Sequence, residues 1–355
     1  MSRNLVLCLD GTSNEPETGA TNVARLYDLA VKDGEQLVYY DPGVGTMGAR
    51  SATTGAGQAA TRVAGLAVGY GVRDNIAEAY TWLMENYRAG DRVYVVGFSR
   101  GAYTALALAG MLRTVGLLRP GADNLTPYAL KLYARNSKRD ASKAEEDKFW
   151  ADRADFDRRF GNPDFERFAR NIAFLGLWDT VKSVGWLNLK AKFEQAHWPF
   201  THKVSNVAVG RLALAIDERR RPFAPYRFDA KLVADPKRDL QERWFVGVHS
   251  DVGGQFADHR LSDIALGWMA DEAKAAGLRI DPDRYKDLVG VPPGTPVPAT
   301  NAVEGMIHRN GWTWWFAGGW RPRKIAAGDT LHPSVQQRID GTAGSKAPYV
   351  VKVGG

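Results

Sequence analysis

The clearest pattern along the chain is a set of short apolar runs, each stopped abruptly by turn-forming residues. Residues 5–9 end at Asp10-Gly11-Thr12, residues 37–40 at Asp41-Pro42-Gly43, and residues 93–96 run into Gly97-Phe98-Ser99-Arg100-Gly101. Residues 171–178 stop at Asp179, and residues 244–248 stop at His249-Ser250-Asp251-Val252-Gly253-Gly254. Apolar runs of this length, bounded by Gly, Pro and Asp and lacking polar alternation, predict strands covered on both faces. Between them the period changes. Ile76, Ala79, Tyr80 and Leu83 recur at helical spacing and predict a helix over 74–87, and Leu261, Ile264, Ala265, Trp268 and Met269 predict another over 261–276. Residues 102–112 are proline-free and rich in helix formers, and 204–216 are also read as helical. Strands alternating with helices predict an α/β fold with a mainly parallel sheet and helices on both faces.

The intervening stretches set the organisation. Residues 48–60, rich in Gly, Ala, Ser and Thr, read as a surface loop, and the proline-rich 292–298 as a rigid surface connection. Residues 124–170 are charged, aromatic and helix-like. They suggest a helical insertion over about 120–170, serving as a lid or as a peripheral layer. The expected division is one catalytic domain over 1–345 containing that insertion, followed by a tail over 346–355.

Composition narrows the class. At 355 residues, 45% apolar and 25% charged, the chain is long enough to bury its own core and too apolar to be disordered. Its single cysteine, Cys8, excludes an intramolecular disulfide and a cysteine-built zinc site, and reads as a buried inert thiol. The apolar run at 5–9 is too short for a signal-peptide core, and no run approaches the ~18 residues that span a bilayer. The expectation is a cytoplasmic protein, with export by a route that needs no cleavable signal left open. Forty-seven basic against 40 acidic side chains leave a net +7, which favours peripheral contact with an anionic membrane surface. The surplus is modest and no dedicated recognition motif accompanies it, which argues against nucleic acid as partner. The run Arg219-Arg220-Arg221 reads as a solvated helix end, with phosphate or lipid contact as the alternative.

The chemistry concentrates at Gly97-x-Ser99-x-Gly101, set between a strand and a helix. A serine on such a turn projects its hydroxyl above the sheet, and glycines two residues to either side remove the clashes that the tight backbone would otherwise create. This is the setting of an α/β-hydrolase nucleophile; a phosphate-binding glycine turn is the weaker alternative, since no Lys-Ser/Thr pair follows. A serine needs a base, and the base an orienting acid. Of the six histidines, His249 directly follows a strand and is the favoured base, with His332 in Leu331-His332-Pro333-Ser334-Val335 as the alternative. Asp179 is the favoured acid, giving the chain order Ser99, Asp179, His249, while Asp251 is its competitor, able instead to orient His332. The Arg100 amide and the Asp10-Gly11-Thr12 turn are candidates for an oxyanion hole, with Gly11 and Thr12 as site-loop residues. Asp10 has a second reading, in which it holds that loop through its own backbone.

Other readings compete. Asp10, Asp41, Asp179, Asp251 and His249 at strand ends raise a metal-dependent phosphoesterase, although no paired-histidine spacing supports zinc. A non-catalytic lipid- or protein-binding module on the same scaffold is a further alternative. Trp312, Trp314, Trp315, Phe316 and Trp320, beside Arg321-Pro322-Arg323-Lys324, either pack into the core or contact a lipid headgroup region or acyl chain. The leading reaction, acyl-ester hydrolysis through an acyl-serine, needs no cofactor and no metal.

Five ordered motifs then fit one family. Leu9-Asp10-Gly11-Thr12-Ser13-Asn14, Gly43-Val44-Gly45-Thr46, Gly97-Phe98-Ser99-Arg100-Gly101-Ala102-Tyr103, Gly176-Leu177-Trp178-Asp179-Thr180-Val181 and Gly247-Val248-His249-Ser250-Asp251-Val252-Gly253-Gly254 together resemble a family of α/β hydrolases. It includes the catalytic domain of type VI secretion phospholipase effectors of the first lipase class, and residues 331–335 are similar to another of its motifs. The resemblance runs from about residue 4 to about residue 340. It implies a Ser-Asp-His triad, carried over as Ser99, Asp179 and His249, and a phospholipid or other acyl-ester substrate.

Overall fold

The computed structural model describes residues 2–11, 20–43, 70–135, 142–181, 198–309 and 319–354. The first half contains β1 (Asn4–Leu9), α1 (Asn22–Leu29), β2 (Gln36–Asp41), α2 (Tyr70–Asn86), β3 (Arg92–Phe98), α3 (Arg100–Val115), α4 (Thr126–Ala134) and α5 (Lys143–Phe160). The second contains β4 (Ile172–Trp178), β5 (Val207–Ala215), α6 (Ala230–Val233), β6 (Asp239–Phe245), α7 (His249–Gly253), α8 (Arg260–Ala275), α9 (Pro282–Val289), α10 (Ala299–Glu304), β7 (Ile325–Ala326), α11 (Pro333–Thr342) and β8 (Val353–Gly354).

Strands β1 to β6 form one sheet in the order β2-β1-β3-β4-β5-β6, parallel at every pairing. The alternating side chains of each strand feed two cores. Leu5, Leu7, Leu9, Val93 and Val95 pack with residues of α2 and α3 on one face, whereas Val6, Cys8, Tyr94, Val96 and Phe174 pack with residues of α1, α8 and α9 on the other. Both faces are dry, which is why these strands read as continuous apolar runs; each buried aliphatic side chain contributes roughly 1.5–3 kcal/mol. This is an α/β-hydrolase-like sheet. Strand β1 has β2 on one side and β3 on the other, so the chain reverses its winding there.

Three expectations are corrected. Residues 204–216 are not a helix but contain β5. Its Ala and Leu favour a helix locally, yet Leu212 and Leu214 fill one core and Ala213 and Ala215 the other, a period of two that only a strand between two neighbours satisfies. The last strand of the sheet ends at Phe245 rather than Val248 and begins earlier, at Asp239, among polar residues. It is an edge strand, so its outward positions stay polar, and its buried Glu242 is taken up by Arg227 at 2.7 Å. The Arg219-Arg220-Arg221 run ends no helix: it follows β5, with Arg219 and Arg221 exposed and Arg220 paired to the buried Glu218 at 2.7 Å.

The helices α4 and α5 lie against the far half of α3. Tyr133 of α4 approaches Gly110, and Leu118 and Gly161 bridge beyond the ends of α3 and α5. Among the described residues no helix is long and apolar enough to cross a membrane. The loop read at 48–60 lies outside the described residues, as do Thr12, Ser13 and Asn14, Val44 to Thr46, His197, and Trp312, Trp314, Trp315 and Phe316.

Candidate active site

The turn between β3 and α3 holds Ser99 at φ 58° and ψ −118°, a backbone region that a residue with a Cβ adopts at a cost of about 1–3 kcal/mol. Packing keeps it there. A Cβ at Gly97 would lie 2.6 Å from the Gly101 carbonyl oxygen, and one at Gly101 would lie 2.1 Å from the Leu9 carbonyl oxygen. The two glycines therefore let the turn close on itself and on the end of β1. The Ser99 amide donates to the Trp178 carbonyl at 3.0 Å, which ties the turn to β4.

His249 opens α7, just after β6. Its Nε2 lies 2.8 Å from Ser99 Oγ, and its Nδ1 lies 2.6 Å from Asp179 Oδ2, so residues 70 and 150 positions apart form one line of hydrogen bonds. The imidazole is held between Phe98 and Phe223, at ring distances of 4.6 and 4.9 Å. Its own backbone N–H donates to Glu218 Oε2 at 3.2 Å. Burial pushes the imidazole pKa below the ordinary histidine value, with Asp179 pulling the other way, which favours the neutral ring able to accept a proton.

Asp179 is fully buried at the end of β4, with φ 39°. The Ala215 amide donates to its Oδ1 at 3.0 Å, and the Arg323 guanidinium donates to both of its oxygens. Burial alone would raise this carboxyl's pKa, but the Arg323 charge and the His249 hydrogen bond outweigh it and hold it well below the usual carboxylate range. A hydroxyl on a strained turn, an imidazole whose lowered pKa favours the neutral form and an ionised acid are thus aligned beyond the ends of β3, β4 and β6. Such an arrangement can make a serine alkoxide as it attacks a carbonyl.

The remaining residues separate clearly. The amide of Arg100, the first residue of α3, stands beside Ser99 at a helix N-terminus, while burial lowers the Arg100 guanidinium pKa to about 10. Gly11 does not offer its amide to Ser99, because that N–H donates to Asp10 Oδ1 at 2.7 Å. Asp10 follows its second reading: its carboxylate also accepts from Thr21 Oγ1 and Tyr40 Oη, anchoring the loop after β1. Asp251 does not orient His332. It accepts from His308 Nδ1 at 2.6 Å and from the amides of His308 and Val248 at 3.1 and 2.9 Å, securing the start of α7. His332 is not near the Ser99 line: it stacks on Phe245 at 4.5 Å and caps α11 through Ser334. Among the described residues no three His, Cys, Asp or Glu side chains gather as a metal site.

Sequence reasoning missed Arg323, Glu218 and Arg220 as parts of the site. Each reaches it through a fold contact with no local signature; the basic run at 321–324 was the only visible trace of Arg323, and it suggested lipid contact rather than a buried ion pair.

A family model described as the catalytic domain of type VI secretion system Tle1-like phospholipase effectors matches residues 3–272. An uncharacterised protein of Saccharomyces cerevisiae is 32% identical over 231 residues, covering 62% of this chain and 32% of the yeast protein. Among solved structures, an uncharacterised protein from Pseudomonas aeruginosa aligns at TM-score 0.44 and 19% identity, over 80% of this chain and 47% of that one. The Tle1 effector bound to the VgrG spike of the type VI secretion system aligns at TM-score 0.33 and 18% identity, over 72% and 51%. The chain thus spans between 32% and 51% of the length of these relatives.

Proposed function

Because this chain belongs to the family of type VI secretion system Tle1-like phospholipase effector catalytic domains, we propose that it is a serine hydrolase acting on the carboxylic esters of phospholipids. Membership brings lipase or phospholipase chemistry as the activity class. The finer reading rests on one observation, the line from Ser99 Oγ through His249 to Asp179 at 2.8 and 2.6 Å, mounted on a strained turn.

In the proposed reaction, Ser99 Oγ attacks the ester carbonyl carbon while its proton passes to His249 Nε2. The carbonyl π electrons move onto oxygen, and the resulting oxyanion is stabilised by the Arg100 N–H at the start of α3. Collapse of the tetrahedral species breaks the bond to the alcohol, which leaves with the proton from His249. Water then attacks the acyl-serine, giving its proton to His249, and Ser99 recovers a proton as the fatty acid departs. Asp179 keeps Nδ1 protonated and stabilises the transient imidazolium. The catalytic unit in this reading covers residues 1–345, with 120–170 as a helical insertion and 346–355 as a tail. The +7 net charge suits approach to an anionic bilayer, and export without a cleavable signal suits a family of secreted effectors.

The test is fluorophosphonate labelling of wild type and Ser99→Ala, read by intact mass, with turnover measured on phospholipid vesicles and short acyl esters. Labelling that requires Ser99, together with release of fatty acid from vesicles, is the expected result. Labelling with turnover of short esters alone would make the protein an esterase of soluble substrates. Folded protein that neither labels nor hydrolyses would overturn the serine mechanism.

A further inference from the structure

The segment that supplies Arg323 lies beyond residue 272, where the family match ends. Its backbone is fixed against the run after β5. Arg321 N donates to the Arg219 carbonyl at 2.6 Å, Arg221 N donates to the Gly319 carbonyl at 3.1 Å, and Arg220 and Trp320 form an antiparallel bridge. From there the Arg323 side chain enters the interior until only 3% of it is exposed. Nη1 donates to Asp179 Oδ1 at 2.5 Å and to the Ala215 carbonyl at 2.8 Å; Nη2 donates to Asp179 Oδ2 at 2.9 Å and to the Phe223 carbonyl at 2.6 Å. The two carbonyls fix the plane of the guanidinium, and the carboxylate receives a bidentate cation in a site without bulk water.

This changes the charge that the imidazole senses. Facing His249 are Asp179 with Arg323 from one side, Glu218 with Arg220 from another, and the neutral Ser99 hydroxyl. Each carboxylate is matched by a guanidinium, so the base sits between two neutral ion pairs. A lone Asp179 would favour imidazolium and withdraw His249 from its role as base at mildly acidic pH; sharing that carboxylate with Arg323 weakens the pull while leaving the Nδ1 hydrogen bond in place. We propose that Arg323 is a positioning residue that completes the reaction centre from outside the family-matched region and sets the acidic limit of its activity. The proposal rests on Ser99 being the nucleophile. The Arg323 charge lowers the pKa of Asp179, in the direction the proposal requires.

The experiment is the pH dependence of the second-order rate of fluorophosphonate labelling at Ser99, which reports the free enzyme, for wild type, Arg323→Gln and Arg323→Lys. Arg323→Gln should move the acidic limb up by about one pH unit, seen as about a tenfold greater loss of labelling on that limb relative to the plateau. Arg323→Lys, which keeps the charge but not the fork, should retain the wild-type limb with a lower plateau. A limb for Arg323→Gln that superimposes on wild type would overturn the proposal, even if the plateau and melting temperature fall, since that is the signature of a merely structural arginine. Should Arg323→Gln not fold, Arg323→Met, which removes the charge without burying an unpaired amide, decides: an acidic limb raised by about one pH unit supports the proposal, and one that superimposes on wild type overturns it. Folded wild type that never labels at Ser99 would instead overturn the serine mechanism itself.

Discussion

Asp179 and Asp251 each hold the Nδ1 of a histidine at 2.6 Å, yet only one of the two pairs faces a serine hydroxyl. His249 turns its other nitrogen to Ser99 Oγ, whereas His308 stacks its ring flat on Phe256 at 3.7 Å. Asp179 is shared with a buried guanidinium; Asp251 shares its second oxygen with two backbone amides and staples the start of α7 to residue 308. Burial raises the pKa of Asp251, against its hydrogen bonds, while Arg323 and His249 drive that of Asp179 down. An aspartate–histidine pair is thus a common way to satisfy a buried carboxylate. What distinguishes a reaction centre is the third group on the far nitrogen and the charge behind the acid.

The comparison breaks most sharply at the serine. Ser99→Ala should reduce ester turnover by at least about 10³-fold with an unchanged melting curve, whereas His308→Ala should keep turnover within about tenfold. Steady-state kinetics beside thermal melts check both; equal losses in the two variants would erase the distinction. The acids come next. Asp179→Asn should cost roughly 10³–10⁴-fold in turnover because the amide holds the wrong imidazole tautomer. Asp251→Asn should act mainly on stability, by about 1–3 kcal/mol, since a buried amide group replaces an acceptor of three hydrogen bonds. Calorimetry on Asp251→Asn, paired with kinetics on both variants, separates the roles.

A smaller effect concerns acid. The depressed pKa of His249 means that the neutral base persists below the usual histidine range, so wild-type kcat/KM should hold as pH falls through about 6.5 and decline only at lower pH. A pH–rate profile reads this directly. The smallest belongs to His332, whose pKa burial pushes down to about 4, aided by Arg243. Because its folded value lies below the unfolded one, the unfolded chain binds more protons between about pH 6.5 and pH 4, and stability drops as pH falls through that window by no more than about 3 kcal/mol. His332→Gln should flatten that part of the stability curve, measured by denaturant melts at pH 7 and pH 4.5.

Much of this was legible before the fold was known, and unevenly so. Residues 5–9, 93–96 and 171–178 read as strands, close to the observed Asn4–Leu9, Arg92–Phe98 and Ile172–Trp178, because both faces are buried and no polar alternation obscures them. Residues 207–215 did not, because Ala and Leu serve helix and strand alike and the neighbours that decide between them are β4 and β6. The polar first half of the edge strand β6 escaped for the opposite reason: it lies at the sheet margin, where Arg227 supplies what Glu242 needs. Asp251 stood as a rival because it lies two residues beyond His249, and His332 because it lies near the chain end, where the base of such a fold often resides; only packing distinguishes a residue that caps or staples from one aimed at Ser99.

By itself, then, the sequence determined the kind of fold, the turn that carries Ser99, and the short set of histidines and aspartates able to serve it, because these follow from local periodicity, glycine sterics and residue chemistry. Which aspartate meets which histidine was decided by tertiary structure, since it depends on how the ends of β4 and β6 converge beside β3. The same holds for the use of the Gly11 amide by Asp10 and for the reach of Arg323 across 144 residues to the buried acid. Electrostatic pairing in a dry interior depends on distances in space, and separation along the chain does not encode them.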